Sequence, residues 1–134
     1  MKLSELKRRG SDGFGAGHFG APRGSRTHKG VDLLAQSGEA INSPVTGTVT
    51  KVGYPYGDDL SYRYVQITAG DYDFRVFYVE PSVRVGQEVT TETAIGSAQD
   101  LGRRYPGIPN HVHFEIKSDG DYLDPTPALI AMEG

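Results

Sequence analysis

Four short segments of one kind leave this chain few ways to fold. "GTVTKV" (47–52), "YRYVQIT" (62–68), "DFRVFYV" (73–79) and "HVHFEIK" (111–117) are rich in Val, Ile, Tyr, Phe and Thr, and alternate apolar with polar residues. A period of two sends successive side chains to opposite faces of a strand, so each segment offers one face to a core. "INSPVTG", "YPYGDD", "AGDYD", "VGQEV" and "SDGDY" separate them with turn chemistry. Helical periodicity is nearly absent. Residues 1–9 have room for two turns with Leu3 and Leu6 on one side, and "DPTPALIAM" has room for one. The expected fold is all-β, of packed antiparallel sheets with long loops at one end. A short N-terminal helix or tether is expected over 1–13 and a single domain over 14–134.

Composition narrows the function classes. The 134 residues are enough to bury a core without staples, and there is no cysteine to form a disulfide or a thiolate ligand. A net charge of −3, with basic residues clustered only at Lys7-Arg8-Arg9 and Arg103-Arg104, argues against a nucleic-acid partner. Both clusters read as solvated surface. The charged opening "MKLSELKRRGSDG" has no apolar stretch of the kind a secretory signal needs. No apolar run approaches the ~18 residues that span a bilayer, so no membrane partner is expected. A monomer is expected.

Three of the four histidines fall in two short segments, "THKGVDL" and "NHVHFEI". On an extended strand His28 and Asp32 share a face, as do His111, His113 and Glu115, while Val31, Leu33, Val112, Phe114 and Ile116 turn to the core. A catalytic zinc takes about three N or O ligands and keeps one position open. His28, Asp32 and one of His111 and His113 make such a set, and the remaining histidine is placed for proton transfer. Seven glycines between residues 10 and 30 make the approach to His28 a loop. We expect segment 10–24 and the stiff loop 101–110, with its "YPGIPN", to wall a groove over the metal. His18, inside the glycine-rich loop, reads as incidental, with a ligand or substrate contact as the alternative.

"HKGVD", "VRVGQEVTTETAIG" and "HVHFEI", in this order around a strand-rich middle, resemble the lysostaphin-type (LytM) zinc endopeptidases over roughly residues 14–127. The resemblance implies that His28, Asp32 and His113 bind one Zn2+ per chain and that His111 is catalytic. It implies cleavage of peptide bonds in bacterial peptidoglycan. "GHFGAPRGSRTHKGVDL" and the closing "YPGIPNHVHFEIKSDGDYLDPTP" look most like small phage-encoded members, which implies a lysin held in the host cytoplasm until lysis, or a virion-associated protein. The same stretches, with "VFYVEP", also resemble the leukocyte cell-derived chemotaxin relatives, which are zinc-binding and regarded as non-catalytic. An inactive zinc-binding module is therefore the alternative function.

The chain departs from the family at one place. Active members usually carry a histidine in a Tyr-x-His-Leu stretch, and here Glu80 of "FYVEP" stands in its place. An ionised carboxylate accepts hydrogen bonds and cannot donate to an oxyanion. Two replacements are open: Glu80 as general base with His111 as acid, or a tyrosine such as Tyr78 or Tyr105 as the donor.

Overall fold

A computed structural model describes residues 1–12, 15–23 and 26–133. Its strands run in chain order as β1 (Ser11–Asp12), β2 (Gly15–Ala16), β3 (Pro22–Arg23), β4 (Arg26–Thr27), β5 (Val31–Leu34), β6 (Ala40–Asn42) and β7 (Gly47–Gly53). Then come β8 (Tyr64–Ala69), β9 (Tyr72–Phe77), β10 (Val79–Pro81), β11 (Glu88–Val89), β12 (Ala94–Ala98), β13 (His111–Ser118) and β14 (Asp121–Leu123). Every pairing between them is antiparallel. The expected all-β architecture is what the chain adopts.

The main sheet has the order β11-β7-β8-β9-β13-β14, with β5 added on β13. Phe114 of β13 faces Val31 of β5 on one edge and Val76 of β9 on the other. β13 is therefore interior along most of its length, and its first six residues are all buried. That differs from the half-buried strand expected from alternation: Val112, Phe114 and Ile116 enter the core, and His111, His113 and Glu115 are covered as well. A smaller sheet, β10-β12-β6, supplies Ile41, Val79, Ile95 and Ala98 to the same core.

The ends differ from expectation. In place of a two-turn helix, the N-terminus makes one 3-10 turn over Leu3–Glu5 and then extends, with Arg8 bridging to Leu33. Leu3 and Leu6 are buried in the core, so tertiary packing decides this segment's shape. The C-terminal helix α1 (Thr126–Glu133) is longer than the single turn expected and lies against the first 3-10 turn.

"DFRVFYV" also behaves differently from one continuous strand. β9 stops at Phe77, Tyr78 takes a left-handed φ of 69°, and β10 starts at Val79 in the other sheet. Positive φ is costly for a bulky residue, so packing around Tyr78 holds it there. Its N–H donates to the Arg63 carbonyl, and its own carbonyl accepts from Gln99.

Candidate metal centre and active site

The register of the main sheet assembles the site. Asp32 of β5 is the direct cross-strand partner of His113 of β13, so both side chains leave the same face side by side. His28 lies just before β5 and reaches them across a bend at Gly30. That bend packs closely: a Cβ at Gly30 would collide with the Phe114 carbonyl oxygen and come within 3.0 Å of the His113 ring.

Three donor atoms converge here. His28 Nε2 lies 2.9 Å from His113 Nδ1 and 3.1 Å from Asp32 Oδ1, and His113 Nδ1 lies 2.9 Å from the same oxygen. All three residues are buried. A backbone carbonyl oxygen only accepts, which places the His28 proton, whereas His113 has a carboxylate oxygen at each nitrogen and gives up its Nδ1 proton to bind a metal. His28 Nδ1–H donates to the His18 carbonyl at 3.0 Å, and His113 Nε2–H donates to Glu115 Oε1 at 2.9 Å. In the metal-binding form both rings keep a proton outward and turn a lone pair inward, beside a carboxylate. Three electron-rich atoms facing one another repel unless a cation lies between them. Their spacing approaches the roughly 3.3 Å between ligands of a tetrahedral zinc with bonds near 2.0 Å. The residues fit the metal.

The surrounding charges follow from this packing. Burial pushes the Asp32 carboxyl up, but hydrogen bonds from His113 and His28 outweigh it and hold the group well below the usual carboxylate range. Asp32 Oδ2 also accepts from Arg9 Nη1 at 2.8 Å, an ion pair with both side chains covered. Arg9 is therefore buried and at the site, which corrects the reading of Lys7-Arg8-Arg9 as solvated surface. Burial pushes His113 down, yet its contacts with Asp32 and Glu115 raise it to about 9 in the metal-free chain.

His111, two residues before His113, is buried in the wall of the same cavity. Its Nδ1–H donates to the Pro109 carbonyl at 2.9 Å, leaving Nε2 as an acceptor 3.5 Å from Asp32 Oδ2. Burial lowers its pKa against the opposing pull of Asp32, which favours the uncharged ring. Such a group can accept a proton.

The cavity measures about 490 Å³. Leu101, Tyr105 and Ile108 line it, so loop 101–110 forms a wall as expected. Parts of segment 10–24 lie outside the described residues. Its described stretch Gly17–Ala21 runs beside His28, exchanging backbone hydrogen bonds through Gly20 and Ala21. His18 has an exposed side chain and contributes its carbonyl instead. Glu80 is not brought to the cluster: its side chain is exposed on β10, receives a long 3.4 Å contact from Gln99 Nε2, and does not line the cavity. Tyr56 and Tyr78 do line it. Sequence reasoning missed Arg9 and Tyr56. The register of Arg9 with the site had no local signal, and "YPYGDD" reads only as a turn.

This fold and site define a class, a β domain with a candidate His-Asp-His metal site and a third histidine in the wall of the same cavity. The model of peptidase family M23 matches residues 26–125, and the chain belongs to that family. Bovine leukocyte cell-derived chemotaxin-2 is 31% identical over 119 residues, covering 88% of this chain and 76% of the relative. The structure described as LytU is 25% identical with a TM-score of 0.70, covering 89% of this chain and 84% of that one. The catalytic domain of lysostaphin from Staphylococcus simulans shares the fold at a TM-score of 0.71 and 22% identity, covering 96% and 95%.

Proposed function

We propose that this chain is a zinc-dependent endopeptidase acting on the peptides of bacterial peptidoglycan. The observation that carries the reading is the convergence of His28 Nε2, Asp32 Oδ1 and His113 Nδ1 in one buried cluster, with His111 in the wall of the same cavity. His28, Asp32 and His113 would hold the metal. Zinc in such a site polarises a carbonyl and lowers the pKa of water to about 7. His111 Nε2 takes the proton from the attacking water and returns it to the leaving nitrogen, while the Pro109 carbonyl holds the ring in that tautomer. Arg9 and Glu115 keep the ligands oriented from behind. The test is turbidity clearing of purified cell walls by zinc-loaded protein. Wild type should clear them, and His111→Ala should not, with zinc content unchanged.

The second reading is a zinc-binding module without turnover, and the position of Glu80 favours it. The residue standing where active members carry a histidine does not reach the cavity. Tight zinc binding with no cleavage of any wall preparation would establish that reading.

A further inference from the structure

The geometry points to Tyr78 as the hydrogen-bond donor that meets the scissile carbonyl oxygen, oriented by a relay running from Arg104 through Tyr105 and Tyr56. This rests on the peptidase reading. Tyr56, Tyr78 and Tyr105 line the same cavity as His28, Asp32, His111 and His113. The Tyr56 hydroxyl lies 3.0 Å from that of Tyr78 and 2.9 Å from that of Tyr105. The Tyr78 ring meets the His111 ring edge-on at 5.8 Å.

The direction of the relay is inferred from its one fixed donor. A guanidinium only donates, so Arg104 Nε–H donates to Tyr105 Oη, at 3.3 Å. Tyr105 then has its single proton for Tyr56, and Tyr56 has its own for Tyr78. Ordered this way, every hydroxyl accepts one bond and donates one, the arrangement in which each bond strengthens the next. The proton left over is that of Tyr78, the tyrosine packed on His111. Arg104 is anchored for this role, 3.7 Å over the Tyr56 ring and paired with both carboxylate oxygens of Asp58 at 3.3 and 3.4 Å.

The backbone carries an independent mark of the same function. Phe77 and Tyr78 are adjacent, and both line the cavity. Regular strand alternation would allow only one of them to do so. The left-handed φ at Tyr78 turns the second ring inward as well, a strain of the kind found where a side chain must be aimed. That same break carries Glu80 away into β10. In the reaction, water oxygen bonds to the carbonyl carbon, its proton goes to His111 Nε2, and the carbonyl electron pair moves onto oxygen. Tyr78 donates a hydrogen bond to that oxygen and keeps its proton. Burial raises its pKa to about 12, which keeps the phenol intact across the working range. The C–N bond then breaks as His111 protonates the nitrogen.

The experiment uses the zinc-loaded full chain and reads two quantities, wall hydrolysis and affinity for inorganic phosphate as a tetrahedral oxyanion. Tyr78→Phe keeps the ring against His111 and removes only the hydroxyl. It should lower kcat about 10²–10³-fold, with KM and zinc content unchanged. Phosphate binding should weaken about tenfold, as expected for one lost hydrogen bond to a charged group. Arg104→Gln, which cannot polarise the relay, should fall between wild type and Tyr78→Phe in both. The donor assignment is overturned if Tyr78→Phe binds phosphate as tightly as wild type, or if wild type does not bind it, whatever the hydrolysis shows. A wild type that cuts no wall but binds phosphate in a Tyr78-dependent way overturns the peptidase reading and keeps the donor.

Discussion

His113 meets a carboxylate at each end of its ring, Asp32 on Nδ1 and Glu115 on Nε2, and this gives its titration a definite sign. Without metal, a proton occupies the place of the cation and the ring stays an imidazolium up to about pH 9. A raised folded-state pKa means stabilisation that is full below about 6.5, the unfolded value, and lost as pH rises through about 9. The metal-free protein should therefore lose stability between roughly pH 6.5 and 9, as measured by urea midpoints. A flat or rising profile there would contradict the assigned network. Zinc must displace that proton, so its affinity should rise over the same range. Glu115→Ala removes the partner that holds the His113 tautomer and should weaken zinc about 10–100-fold in a chelator competition. The four histidine and aspartate positions were legible in the sequence because ligand spacing along a strand is a local property. Arg9 was not, since a basic run looks the same whether it stays in solvent or one member folds under.

At the scale of elements, the pairing of β5 with β13 is what makes a site of two distant motifs. Alternation in "HVHFEIK" announced β13, and the spacing of His28 and Asp32 announced a common face. What alternation could not announce was the break at Tyr78, because nothing in "DFRVFYV" distinguishes a strand from two strands in different sheets. The tyrosine cluster was hidden for a related reason: its members come from three separate segments, 22 and 49 residues apart along the chain. Gly30 offers a test of the β5–β13 contact. A methyl group there would press on the Phe114 carbonyl and on the ring of His113. Gly30→Ala should cost about 1–3 kcal/mol, the usual range for overpacking, and should also weaken zinc. Urea melts with and without metal would show both effects. Loss of stability with zinc affinity intact would mean that the bend and the ligands are not coupled.

At the scale of the molecule, the metal centre and the apolar core are separate structures sharing one strand. The core is built from residues such as Leu33, Ile41, Val49, Ile67, Val76, Ile95, Val112 and Phe114, and includes none of the ligands. β13 contributes to both, with Val112, Phe114 and Ile116 on the core side and His111, His113 and Glu115 on the other. Removing zinc therefore takes away a cation and leaves the packing. A ligand that binds only the native state stabilises by mass action, about 4 kcal/mol at a thousandfold excess over Kd. With an unfolding entropy scaled to 134 residues, that corresponds to a Tm increase on the order of 10–15 °C. Chelation should reverse the increase, and the metal-free chain should still unfold cooperatively, with near-UV dichroism retained below its Tm. A chelated protein that keeps only far-UV signal would show that the ligands, and not the core, hold β5 and the N-terminal segment in place. His28→Ala provides the matching control: it should abolish the zinc-dependent increase in Tm and still leave a folded domain.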